Sequence, residues 1–141
     1  MLFPQKVKHR KWQVTRRNRT VLDKKIETRG ITLANGSFGL VATSQARITS
    51  NQIESARKVI ARTLGKTGRI WTRIFPDRPF TKKASEVPMG SGKGAPEGFC
   101  FETFAGRVLF EIDGVPETLA KEAFRKANSK LPVTTKVITR E

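Results

Sequence analysis

Arg69, Trp71, Arg73 and Phe75 occupy alternate positions of the stretch Arg69-Ile70-Trp71-Thr72-Arg73-Ile74-Phe75. In an extended strand they share one face, and Ile70, Thr72 and Ile74 share the other. Two guanidinium groups flanking an indole suit a nucleobase or ribose surface as well as phosphate. The same pattern also suits a plainer arrangement, with Trp71 and Phe75 in the core and the arginine stems lying along them. Farther on, Gly90-Ser91-Gly92-Lys93-Gly94 lets bare main chain approach a phosphate and supplies a cation. Lys58, Arg62 and Lys66 lie four apart, so a helix there carries its cations on one side, with no acidic partner read at that spacing. Such a row is either a solvated face or a phosphate-facing one.

Catalytic chemistry finds little support. Gly92-Lys93 has the ending of a phosphate-binding P-loop, but Val87 stands where that motif needs glycine and Gly94 where it needs Ser or Thr. His9 is the only histidine, which leaves no Ser-His-Asp triad within one chain. One Cys and one His cannot close a zinc site of the usual ligands. Cys100 lies in an apolar strand and reads as a small core residue. Glu111 and Asp113, on one strand face near the acidic Glu102, read as solvated scaffold charge and not as a general acid–base pair. The expectation is a protein that is not an enzyme and needs no cofactor or metal.

The charge points to a polyanion. The chain carries 28 Lys and Arg against 12 Asp and Glu, net +16. Residues 1–30 hold ten basic and two acidic side chains, and residues 31–96 hold eleven and three. Residues 97–141 hold seven of each, so the surplus sits in the first two-thirds. Closely spaced phosphates reward such a concentrated basic surface by counterion release. A single cysteine excludes an internal disulfide and suits a reducing compartment. No apolar run approaches the roughly 20 residues that span a bilayer. No apolar signal core follows the basic start, and Trp12 and Val14 are too sparse for the apolar face of a transit peptide.

These residues need elements to position them. At 141 residues one domain is expected, here residues 25–139, preceded by a basic arm over residues 1–24. The arm has no clean period and too little apolar surface to order itself. Residues 26–33 and 38–43 read as strands of a hairpin turning at Asn35-Gly36. Residues 49–64 read as a helix, with Thr49 and Gln52 as a capping box and Ile48 and Ile53 as a staple. Its buried stripe is Ile53, Ala56, Ile60 and Leu64, and Gly65 stops it. Residues 76–98 hold Pro76, Pro79, Pro88 and Pro96 with Gly90, Gly92, Gly94 and Gly98, and read as one long functional loop. Phe99–Phe104 and Arg107–Asp113 read as strands joined at Ala105-Gly106, with Val108, Phe110 and Ile112 turned inward. A second helix follows Pro116, with Leu119, Ala120, Ala123, Phe124 and Ala127 on its apolar face. Val133–Thr139 is the last strand. The fold class is α+β: mostly antiparallel strands packed with two helices, a basic N-terminal arm and a long Gly/Pro-rich loop.

Several blocks resemble one known family. They are the opening Met1-Leu2-Phe3-Pro4 with Lys6, Lys8, Arg10 and Lys11; Phe38-Gly39-Leu40; Arg47-Ile48-Thr49 through Gln52-Ile53-Glu54; Gly68 to Asp77; Met89 to Gly94; Gly114-Val115-Pro116-Glu117; and Lys130-Leu131-Pro132. In this order and spacing, from about Met1 to Ile138, the chain resembles the bacterial ribosomal protein L-sixteen family. The resemblance implies a structural constituent of the large ribosomal subunit in a bacterial cytoplasm. It implies binding to large-subunit rRNA near the base of the central protuberance, contact with tRNA near the aminoacyl and peptidyl sites, and support of late subunit assembly. Two positions depart from it. Pro88 stands where the family usually has Arg, and Gly98-Phe99 where it typically has Tyr-Trp.

The residues expected to bind rRNA are Lys6, Lys8, Arg10, Lys11, Arg16, Arg17 and Arg19 on the arm, Arg57, Lys58 and Arg62 on the first long helix, and Arg69, Trp71 and Arg73. Those expected to approach tRNA or rRNA through the loop are Arg78, Lys82, Lys83, Ser91 and Lys93. The expected partners are rRNA, tRNA and neighbouring ribosomal proteins, with no membrane and no homo-oligomer. Two rivals are a free RNA chaperone or maturation factor, which would leave the mature subunit, and an RNA-modifying enzyme, which would need a cofactor pocket the sequence does not show.

Overall fold

The computed structural model describes residues 1–14 and 18–140. Two antiparallel sheets carry the chain. Strands β1 (Phe38–Ala42), β3 (Arg69–Thr72), β6 (Val108–Asp113) and β7 (Thr135–Thr139) form a four-stranded sheet in the order β3-β6-β1-β7. Strands β2 (Ala46–Thr49), β4 (Arg78–Lys82) and β5 (Ala95–Thr103) form a three-stranded sheet in the order β2-β5-β4. Three helices are present among the described residues: the five-residue α1 (Arg19–Asp23), α2 (Ser50–Leu64) and α3 (Glu117–Asn128). The α+β expectation holds, with one short helix more than the periodicity showed.

Helix α2 forms as its sequence dictates. Gln52 donates its backbone N–H to the Thr49 hydroxyl at 3.4 Å, and Thr49 donates its own N–H to the Gln52 side chain at 2.9 Å. Ile53, Ala56, Ile60 and Leu64 are buried. They meet Ala123, Phe124 and Ala127 of α3, and both helices lie on Leu40, Phe110 and Ile112 of the four-stranded sheet. Pro116 starts α3 without a side-chain cap.

The expected hairpin of residues 26–43 does not form. Strand β1 exists, but β6 and β7 take both of its edges, so residues 26–33 have no edge to join. Ile26 makes only an isolated bridge to Ala105. Residues 76–98 are also not one loop. β4 and β5 pair from Arg78–Cys100 to Lys82–Ala95, leaving residues 83–94 as the connection. Pro79 is tolerated because β4 is an edge strand. Nor do β5 and β6 pair with each other: the chain leaves one sheet for the other at Ala105-Gly106.

Alternation along β6 is likewise incomplete as a guide to burial. Phe110 and Ile112 pack with the helices as expected, but the register slips at Leu109, which joins the same core, and Glu111 on the opposite face is also fully buried. The segment before β1 covers that face. Gly36 lies so close to β6 that a Cβ there would fall 2.5 Å from the Ile112 carbonyl oxygen.

Candidate nucleic-acid interface

Glu111 is the anchor of the covered face. Its carboxylate accepts the backbone N–H groups of Ala34, Asn35 and Gly36 at 3.1, 2.6 and 2.7 Å, and Arg73 forms a short ion pair with it. Burial pushes its carboxyl up, but the three amides and Arg73 together outweigh that and hold it below its ordinary value. The expectation that Glu111 is solvated is therefore corrected. A carboxylate that bonds three main-chain donors is the means by which residues 34–36 close over the sheet. Nearby Glu102 is also engaged, pairing with Arg47 at 2.9 Å and Arg78 at 3.2 Å. Asp113 accepts the Ser37 hydroxyl, and that bond chiefly lowers its carboxyl.

These pairings sort the basic residues. Arg73 also donates to the Thr32 carbonyl at 3.3 Å, so its guanidinium belongs to the covered face. Arg78 is buried between Glu102 and the ring of Trp12, 5.5 Å from its centroid. Arg57 is bonded to Glu54 at 2.6 Å, which lowers the carboxyl of Glu54 and raises the guanidinium. Lys58 stands 4.0 Å from the same carboxylate, four residues on. The cation row of α2 thus begins beside an acidic partner, contrary to expectation, because Glu54 sits one turn earlier on the helix. Arg62, Arg69 and Arg19 are exposed. Arg16 and Arg17 lie outside the described residues.

The arm and the β4–β5 connection meet. Lys11 donates to the Lys93 carbonyl at 3.3 Å, and Lys93 donates in turn to the Trp12 carbonyl. Lys83 donates to the Gly90 carbonyl, and Lys82 pairs loosely with Glu97 at 3.8 Å. Lys6, Lys8 and Arg10 are exposed on the arm. The turn Gly90-Ser91-Gly92 has positive φ throughout, at 101°, 56° and 97°, so even Ser91 takes the left-handed conformation. Met89 beside it is almost fully exposed. The fold thus brings the arm and the lysines of residues 82–93 into one basic surface although they are distant in sequence, with the buried Arg78 beneath the arm's Trp12.

Some contributors escaped sequence reading. Trp12 read only as an isolated aromatic, yet it stacks with Arg78. Lys66 read only as the end of the α2 cation row, yet it joins Arg69, Trp71 and Asn35 around an open cleft of about 500 Å³. Lys25 lies over Phe104, 4.4 Å from the centroid. The aromatic and basic composition was a signal for these, but the pairings cross chain segments that no local period links. Cys100 is buried, and desolvation raises its thiol against the opposing pull of Arg47 and Arg78, which suits a packing role. Among the described residues no group of His, Cys, Asp and Glu is placed to hold a metal ion. No helix among the described residues is long and apolar enough to cross a membrane.

Comparison with known proteins matches residues 4–138 to the family described as ribosomal protein L16p/L10e. Relatives named large ribosomal subunit protein uL16 include one from Verminephrobacter eiseniae, 48% identical across 99% of this chain and 97% of its own. One from Delftia acidovorans is 48% identical across 100% and 98%. One from Polaromonas is 47% identical across 99% and 97%.

Proposed function

The chain belongs to the ribosomal protein L16p/L10e family, and from that premise we propose that it serves the large ribosomal subunit as an rRNA clamp that also contacts tRNA. It is a ribosomal protein and not an enzyme. Its bacterial relatives put its work in cytoplasmic ribosomes. Lys6, Lys8, Arg10, Lys11, Arg16, Arg17 and Arg19 neutralise rRNA phosphates along the arm. Arg62 and Arg69, with Trp71, add a second surface. Lys82, Lys83, Ser91 and Lys93 approach tRNA or rRNA, and the same contacts support late subunit assembly. Most of these contacts position the protein rather than read sequence. Shape and the 2′-hydroxyl supply discrimination.

The observation that supports this reading best is the junction of arm and connection. Lys11 and Lys93 bond to main-chain carbonyls across it instead of to carboxylates. Among the described residues no carboxylate pairs with either, so their charges stay available to a polyanion, as a phosphate-binding surface requires. Sedimentation of the tagged protein from lysate at moderate and high salt tests it. Tight, stoichiometric migration with the large subunit is expected. Migration only with precursor particles, or loss at moderate salt, would overturn it in favour of a maturation factor.

A further inference from the structure

An open hollow of about 710 Å³ lies where β2 ends. β5 runs from Ala95 to Thr103, but β2 pairs only with Cys100–Thr103, because the chain turns into α2 after Thr49. The first half of β5 is left uncovered on that side. Phe3, Phe80 and Phe99 line the space, with Asn51 and the Lys82–Glu97 pair beside them. Gly98 lies on its floor, where a Cβ would press to 3.3 Å from the Phe80 ring. The arm contributes Phe3, 55% exposed, and holds its place through Leu2 against the core.

We propose that this hollow receives one unpaired nucleobase of the large-subunit rRNA. The occupant presupposes the rRNA-binding reading above. The size lies within the range of small-molecule sites, roughly 300–1,000 Å³. Aromatic walls accept a base by stacking whatever its identity, and a base is held best where a cation sits at the mouth for its phosphate. Lys82, exposed and only loosely paired with Glu97 at 3.8 Å, is free to turn to that phosphate, and Lys6 and Lys8 lie three and five residues beyond Phe3 on the arm. The Asn51 amide carries both donor and acceptor for a base edge. Addition of a peptide strand to the open edge of β5 fits less well, because Pro96 lies within it and lacks a backbone donor.

The test uses assembled large subunits in which Phe3 is replaced by photoreactive benzoylphenylalanine. Irradiation should join the protein to a single rRNA nucleotide. Dimethyl sulfate and carbodiimide, which together probe the pairing edges of all four bases, should find that base protected. Gly98→Val narrows the hollow and Phe3→Ala removes an exposed wall. Each should raise the reactivity of that base roughly fivefold or more while the protein still sediments with the subunit. Cross-linking to another protein, to scattered nucleotides or to nothing would overturn the proposal, as would unchanged base reactivity in both variants. Absence of the unmodified protein from the subunit would instead strike the clamp reading itself.

Discussion

The two ends of the basic surplus are held in opposite ways. On the covered face of the four-stranded sheet, Arg73 meets the fully buried Glu111, which also bonds three main-chain amides. At the junction of arm and connection, Lys11, Lys83 and Lys93 meet only main-chain carbonyls among the partners identified. A carboxylate cancels a cation's charge, whereas a carbonyl only orients it. Arg73 therefore serves the fold, and the lysines keep their charge for a polyanion. Arg78 stands between the two, paired with Glu102 yet stacked under the arm's Trp12. A row of Lys and Arg in the sequence does not distinguish these fates, because the deciding partners come from other strands.

The sharpest way to break this contrast is Glu111→Ala. It leaves Arg73 without its carboxylate and three amides without their acceptor, and should cost about 3–5 kcal/mol in chemical denaturation. A loss below about 1 kcal/mol would mean the covered face is not held as described. The same carboxyl gives the pH sign. Its folded value is depressed below the ordinary 4.5. Its stabilisation is thus present above that pH and lost as pH falls through the depressed value. The stability gap between wild type and Glu111→Ala should accordingly narrow below about pH 4.5, and a gap constant down to acid unfolding would contradict it.

The cationic side is tested by binding. Changing Lys6, Lys8 and Arg10 together to Gln should make the salt dependence of rRNA binding shallower by roughly two to three in the log–log slope. An unaltered slope would remove the arm from the phosphate surface. These substitutions are cleaner than deleting residues 1–19, since Leu2 packs against the core. Changing Lys82, Lys83 and Lys93 to Glu should lower tRNA affinity of reconstituted subunits roughly tenfold while incorporation changes little. Normal tRNA affinity would confine the connection to rRNA or solvent. The smallest effect belongs to Thr49→Ala, which removes the α2 cap. It should cost about 1 kcal/mol of stability and leave the salt slope of RNA binding untouched.

Local rules were legible where both partners lie within one turn. The Thr49–Gln52 box, the stripe from Ile53 to Leu64 and the apolar face of α3 all stand as spacing predicts. The expected hairpin and the expected 23-residue loop failed for one reason. A strand exists only if an edge is free to pair with it. Residues 26–33 found the edges of β1 taken, and Arg78–Lys82, despite its proline, found β5 open. Of the candidate site, Lys82, Lys83 and Lys93 were visible as cations. Their junction with Lys11 and Trp12, and the removal of Arg73 into a buried pair, were not.

Composition and order along the chain determined that the protein is basic, α+β and suited to a polyanion, and its motifs placed it in its family. Charge and helix periodicity are sums over near neighbours, so the sequence carries them complete. Tertiary structure alone decided which cations remain available, where arm and connection meet, and that an aromatic hollow opens beyond the end of β2. Each of these depends on groups brought together from tens of residues apart, and a burial or an ion pair has no meaning until both sides of the contact are in place.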